Sequence, residues 1–335
     1  MKRLVLKSIA AAVALAAFGA AQAQDIKEHT IKFAHQNPAG HPIVMGMEKF
    51  AEIVKAKSGG KIKVNLFPGG VLGSDQANVS ALQGGTLEMV VLNTGILASQ
   101  VKELSIFDFP FLFANTKEAD AIVDGPVGKK MHAKLEEKGI VGLSFWELGF
   151  RNITNSKRPL NKVEDIAGLK LRVIPNPINV DWVKALDANP TPLPFPEVYA
   201  AMEQKAIDGH ENPVTVINAN KFYEVQKYLA ITNHQYNPQS VIISKKFWDT
   251  LSAAEKKLID DAADEATKYQ RVQNRAVMTT ALENVKKNGM VVTEFSAAEV
   301  AKFREKMKPV IAKYSANVGE ATVNEMMAEL AKLRK

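Results

Sequence analysis

From Ala253 to about Lys287 the chain runs without a glycine or proline, and Ala, Glu, Lys, Asp and Leu dominate. Such a stretch predicts one helix of about 35 residues, near 50 Å long at about 1.5 Å per residue. A single small lobe has no use for an element of that length. The apolar positions do not keep a strict heptad, which argues against a coiled coil. A helix that crosses between two lobes fits better, and 335 residues are enough for two.

Before that helix, strand and helix patterns alternate. Residues 30–34 read as a strand, Pro42–Lys57 as an amphipathic helix closed by Gly59 and Gly60, and 61–67 as a half-buried strand. Ser74 is placed to cap a helix running to residue 83, and 87–92 is a continuous apolar strand. Helical patterns at 117–123 and 127–138 lead into a strand at 140–145. The style then repeats, with a strand at 169–174, helices at 178–186 and 197–205, and a short strand at 206–208. Residues 297–335 are again helical. Alternation of this kind predicts α/β lobes with mostly parallel sheets.

The first residues set the compartment. Lys2, Arg3 and Lys7 precede an apolar run from Ile9 to Ala21, and Ala21-Gln22-Ala23 closes the segment. A charged start, an apolar core and an Ala-x-Ala end make a secretory signal peptide over residues 1–23. Its core of about thirteen residues is shorter than the roughly 20 needed to span a bilayer. The mature chain is therefore expected from Gln24, in the periplasm, with no direct membrane insertion. Removing the leader takes three positive charges and lowers the net charge from +7 to +4. What remains is evenly mixed, so no nucleic-acid partner is expected. A mild positive surplus suits an anionic small ligand.

The chain has no cysteine, which removes thiol nucleophiles, thiolate metal sites and iron–sulfur ligation. No G-x-S-x-G elbow, P-loop or H-E-x-x-H motif is present. Asp108, Glu147 and Glu211 are available acids, but nothing in the sequence pairs them for acid–base work. His35 and His41 lie six apart in a predicted loop without further ligands beside them. No enzyme activity, cofactor or metal site is expected.

Two stretches carry a specific signal. The first runs Gly149-Phe150-Arg151-Asn152-Ile153-Thr154-Asn155, then Arg158-Pro159-Leu160, then Glu164-Asp165-Ile166-Ala167-Gly168-Leu169-Lys170-Leu171-Arg172-Val173. The second is Pro190-Thr191-Pro192-Leu193-Pro194-Phe195-Pro196-Glu197-Val198-Tyr199, then Ile207-Asp208-Gly209-His210-Glu211-Asn212-Pro213. In this order they closely resemble the C4-dicarboxylate-binding solute receptors of TRAP (tripartite ATP-independent periplasmic) transporters. The likeness extends over nearly all the mature chain, including Leu72-Gly73-Ser74-Asp75.

The resemblance implies a two-lobed periplasmic binding protein fold (type II-like), with a long helix spanning both lobes and one ligand between them. Lobes of 24–148 plus about 238–277, and of 149–237 plus about 278–335, are expected. It also implies transient partnership with TRAP membrane permease subunits; the receptor itself is expected to be a monomer. By family position Arg172 is the expected carboxylate clamp and Arg151 a second arginine at the acid group. Asn212 is the amide that helps orient that group, and Phe195 the aromatic lid.

The residues themselves agree with those roles without requiring them. Gly168 is read as a close approach into the following strand, which carries Lys170 and Arg172 on one face. A guanidinium fork at a strand end can hold a carboxylate by two parallel hydrogen bonds. Equally, Arg172 and Arg151 can be surface or ion-pair residues, Asn212 a turn residue before Pro213, and Phe195 plain core. Gln36, Asp75 and Asn93 follow or neighbour first-lobe strands, where ligands bind in such sheets, and His35 can add a polar contact. Amides at Gln36 and Asn93 with an acid at Asp75 suit hydroxyl groups. That set favours a sugar acid, such as a uronate or aldonate, over a short apolar acid. A dicarboxylate or aromatic acid in the same fold, a secreted hydrolase, and a receptor feeding a sensor are the rival readings.

Overall fold

The computed structural model describes residues 26–335, so the leader expected at 1–23 lies outside the described residues. The first elements are β1 (His29–Ala34), α1 (Pro42–Lys57), β2 (Ile62–Phe67), α2 (Asp75–Gly84) and β3 (Met89–Asn93). Two 3-10 segments follow, Thr94–Ser99 and Lys102–Asp108, then α3 (Thr116–Asp124), α4 (Pro126–Ala133) and β4 (Ile140–Asn155). Next come β5 (Lys170–Val173), α5 (Pro177–Lys184), β6 (Asn189–Pro192), α6 (Val198–Glu203), β7 (Gly209–Asn212) and α7 (Val214–Ala219). The last are β8 (Tyr228–Ser244), α8 (Lys245–Trp248), α9 (Ala253–Lys287), β9 (Val291–Glu294), α10 (Ala297–Val318) and α11 (Glu320–Leu333).

The strands order as β2-β1-β3-β8-β4-β7-β5-β6, with β9 added to β8. The first lobe is built on β2-β1-β3 and the second on β7-β5-β6, while the long β4 and β8 run through both. Within each lobe the short strands are parallel. The centre is antiparallel, through β3–β8, β8–β4 and β4–β7. The expected mostly parallel sheet is corrected on this point. The chain crosses between lobes along β4 and returns along β8, and a return path beside the outward one must run antiparallel.

Strand alternation sorts the buried side chains onto two faces. Val90, Leu92, Phe145 and Ile242 point to one, covered by Phe303 and Met307 of α10 and Met326 and Leu330 of α11. Met89, Val91, Trp146 and Ile243 point to the other, covered by Ile43, Met47 and Phe50 of α1 and Ile259, Ala262 and Ala266 of α9. Pro42 opens α1, and the His41 ring caps it by accepting from the Ile43 N–H at 3.1 Å. Ser74 caps α2, and a reciprocal Ser252–Glu255 capping box opens α9.

Helix α9 has the 35 residues its composition predicts, and packs against α1, β4 and α7, elements of both lobes. It also completes β4 where that strand is irregular. The β4–β8 register shifts at Gly142/Ser144, Glu147/Gly149 and Arg151/Ile153, and Gly149 takes a φ of +112°. A bulge leaves backbone groups without ladder partners. Gln270 of α9 takes over at Glu147, accepting from its N–H and donating to its carbonyl, both at 2.8 Å. Gly46 of α1 allows the close approach, because a Cβ there would lie 2.8 Å from Gln270 Cγ and 2.9 Å from Trp146.

Several local expectations change. The strand placed at 140–145 continues to Asn155, and that placed at 206–208 is instead Gly209–Asn212. The helix placed at 127–138 stops at Ala133, and a 3-10 turn at Glu136–Lys138 ends on Gly139 with φ +76°. Gly168 is a left-handed turn residue (φ +78°), with open space where a Cβ would sit, so it makes no close approach. Among the described residues no helix is long and apolar enough to cross a membrane.

Candidate functional site

One cleft between the lobes gathers residues from many elements, and all eight residues singled out in the sequence line it. His35 and Gln36 follow β1, Asn93 ends β3, and Asp75 opens α2. Arg151 lies in β4, Arg172 in β5 and Asn212 at the end of β7, while Phe195 opens a 3-10 turn, Phe195–Glu197. Strand ends, an irregular stretch of β4 and the start of α2 thus deliver the polar groups, and a short turn delivers the ring.

Arg172 is buried, at 2% exposure, and its Nε donates to the Leu193 carbonyl at 2.9 Å. The guanidinium lies 5.9 Å from the Phe195 ring centroid. Among the described residues no carboxylate lies within ion-pair distance of it, and its two terminal nitrogens make no hydrogen bond. Burial lowers its pKa to about 10, so it stays cationic at neutral pH. A buried charge without a partner is costly and calls for an anion.

Arg151 differs. It is 1% exposed and forks onto Glu211, with Nη2 donating to Oε1 at 2.8 Å and further bonds from Nε to Oε2 and from Nη2 to the Glu211 carbonyl. Burial by itself would push Glu211 up, but the Arg151 charge and the interactions with His234 and Arg151 outweigh it and hold the carboxyl at about 2. The pair is neutral overall, so Arg172 is the cleft cation left without an ion pair, with Glu211 and Asp75 near enough to favour its charge.

On the facing wall several buried polar atoms have no partner. These are Gln36 Oε1, Asp75 Oδ1, Asn93 Nδ2 and, on β8, Asn237 Nδ2. Other ends of the same groups are fixed: Gln36 Nε2 donates to the Gly73 carbonyl at 2.9 Å, and Asn93 Oδ1 accepts from the Ile96 N–H at 3.2 Å. Burial pushes the Asp75 carboxyl up to about 7, against opposing effects from Gln36 and Arg172. Asn212 Nδ2 lies 2.9 Å from His210 Nδ1. Buried polar groups normally find partners, so two acceptors and two donors left over around one cleft describe a hydroxylated ligand.

His35 faces the cleft with both ring nitrogens engaged. Nδ1 lies 2.8 Å from the Val91 carbonyl and must donate to it, so Nε2 accepts from Asn37 Nδ2 at 2.9 Å. Burial lowers its pKa to about 4, leaving it neutral. Asn37 Oδ1 in turn accepts from Asn220 Nδ2, just beyond α7, at 2.8 Å. This chain of bonds ties β3 of the first lobe to the second. Asn220→Ala is expected to weaken ligand binding about fivefold, the worth of one neutral hydrogen bond of about 1 kcal/mol, because it removes a contact that spans the cleft. Calorimetric titration of the variant with a bound acid would measure this.

His41 caps α1 through Nδ1, and no group of acids and histidines among the described residues is placed to hold a metal ion. Sequence reasoning missed Asn237 and Gln239, because β8 was not read as a strand. It also missed Glu211 as the Arg151 partner; the residues are 60 apart and only the β4–β7 pairing joins them.

The chain is similar to proteins of known kind. A family model described as bacterial extracellular solute-binding protein, family 7, matches residues 33–317. The 2,3-diketo-L-gulonate-binding periplasmic protein YiaO of Escherichia coli is 35% identical over 266 residues, which is 79% of this chain and 81% of YiaO. The sugar acid binding protein DctPAm of Advenella mimigardefordensis, solved in complex with galactonate, is 42% identical with a TM-score of 0.90. That match covers 92% of this chain and 99% of DctPAm. A TRAP periplasmic solute binding protein from Ochrobactrum anthropi, with its C-terminus bound in the ligand pocket, is 54% identical with a TM-score of 0.82. There the coverage is 92% and 96%.

Proposed function

This chain belongs to the bacterial extracellular solute-binding protein family 7 and is a TRAP solute-binding protein, and from that premise we propose that it captures a sugar acid in the periplasm for an ion-gradient-driven permease. The observation that carries the reading is Arg172, a buried guanidinium with two free terminal nitrogens and, among the described residues, no acid within ion-pair distance. A ligand carboxylate accepts both nitrogens and neutralises the charge. Asn212 flanks that group and Phe195 covers it. The polyhydroxylated remainder lies against Gln36, Asp75, Asn93 and Asn237, whose unpaired atoms supply two acceptors and two donors. The ligands named for YiaO and DctPAm, a diketo sugar acid and an aldonate, support this chemistry.

In this mechanism nothing is turned over. The ligand bridges the lobes, contacts such as Asn37–Asn220 hold them together, and the permease recognises the closed form. The lobe division we adopt, 24–148 with about 238–277 and 149–237 with about 278–335, is supported by the β4–β8 register breaks near Gly149 and Asn237.

Thermal unfolding of the mature protein against small organic acids and neutral sugars tests the proposal. A ligand of the folded state at 100 times its Kd stabilises by about 2.7 kcal/mol, a readily visible shift. Sugar acids are expected to raise the midpoint, after unfolding and refolding to clear copurified ligand. A shift from neutral sugars alone, or from none of the acids, would refute it.

A further inference from the structure

Resting on the sugar-acid reading, the geometry points to Asp75 as the residue that sets the charge class of the ligand: one carboxylate is admitted, at Arg172, and a second is refused. Of the two arginines in the cleft, Arg151 is consumed by Glu211, and Arg172 takes one carboxylate. The first-lobe wall offers His35, Gln36, Asn37, Asp75 and Asn93, and none of these is a cation; His35 has both ring nitrogens engaged.

On that wall two acceptors, Gln36 Oε1 and Asp75 Oδ1, are buried and unpartnered beside two unpartnered amide donors, Asn93 Nδ2 and Asn237 Nδ2. A group that both donates and accepts is needed to serve all four. A ligand hydroxyl can donate to the two acceptors, whereas a carboxylate has no proton to give. A second carboxylate would also bring like charges together without a counter-ion. Asp75 sits at the first position of α2, where the capping Ser74 fixes the backbone from which the carboxyl projects.

The test compares aldonates of four to six carbons with the aldarates of the same skeleton, each differing only by oxidation of the terminal CH2OH to a carboxylate. Binding is measured calorimetrically on the mature protein at pH 8, above the value near 7 to which burial lifts Asp75, so that its charge is present. The aldonate that binds is expected to exceed its aldarate at least a hundredfold. In Asp75→Asn, which keeps the shape and removes the charge, that ratio is expected to fall below about tenfold, mainly by gain of aldarate binding. Asp75→Ser should shift it the same way, and melting curves confirm that both variants fold. An aldarate bound within threefold of its aldonate by the wild type, or a ratio unchanged in both variants, overturns the role of Asp75 while leaving the receptor reading intact. Binding of no aldonate at all overturns both.

Discussion

Arg172→Ala is expected to lower affinity for the bound sugar acid roughly 30-fold or more, while the ligand-free protein melts no lower than the wild type. Both halves follow from the same observation. Removing one partner of a buried charge pair costs about 2–5 kcal/mol of binding, because the ligand carboxylate is then desolvated without its counter-ion. Without ligand, the wild-type guanidinium is buried with no acid within ion-pair distance among the described residues, so deleting it relieves a cost. Arg172→Lys should bind at an intermediate level, since the ammonium restores the charge but not the planar fork. Titration calorimetry and thermal unfolding report the two effects separately. Unchanged affinity in Arg172→Ala would remove the anchor from the mechanism.

Glu211→Gln is expected to act on the fold first. It leaves Arg151 charged in a site 1% exposed, and breaking a buried pair from one side costs about 3–5 kcal/mol. Denaturant unfolding would measure this, and replacing Arg151 by Met in the same chain should recover much of the loss. The pH dependence has a definite sign. The Glu211 carboxyl is held at about 2, below its ordinary 4.5, so its contribution is complete above about 4.5 and is lost as pH falls toward 2. The wild type should therefore lose stability over that acid range more steeply than the variant. Equal slopes would show that the pair does not control it.

The helices were legible where caps and composition agree. Pro42 with Lys57, Ser74, and the uninterrupted run behind α9 each announce themselves locally. Gln36 and Asn93 were legible for a related reason, as polar residues at or just beyond the ends of clear strands, while the family resemblance pointed to Arg172. The crossing strands were not. Residues 228–244 include Asn233, His234, Gln235, Asn237, Pro238 and Gln239, and neither alternate nor form an apolar run. In the fold many of these are buried by hydrogen bonding and by the cleft rather than by apolar contact, so hydropathy gives no sign of them. The second half of β4, with Arg151, Asn152 and Thr154, was hidden in the same way. Its partner Glu211 becomes apparent only when β7 lies alongside.

Each apolar layer of the sheet draws on both lobes: Val90 and Leu92 share one with Val173 and Trp182, and Val91 and Ile243 share the other with Val214 and Ile217. Neither lobe owns a complete interior. Exchanging one half of this chain for a relative's is therefore expected to disturb both layers, because each half would meet an interior shaped for a different neighbour. Point changes on the cleft wall, at positions such as 36, 75 and 93, leave those shared layers untouched.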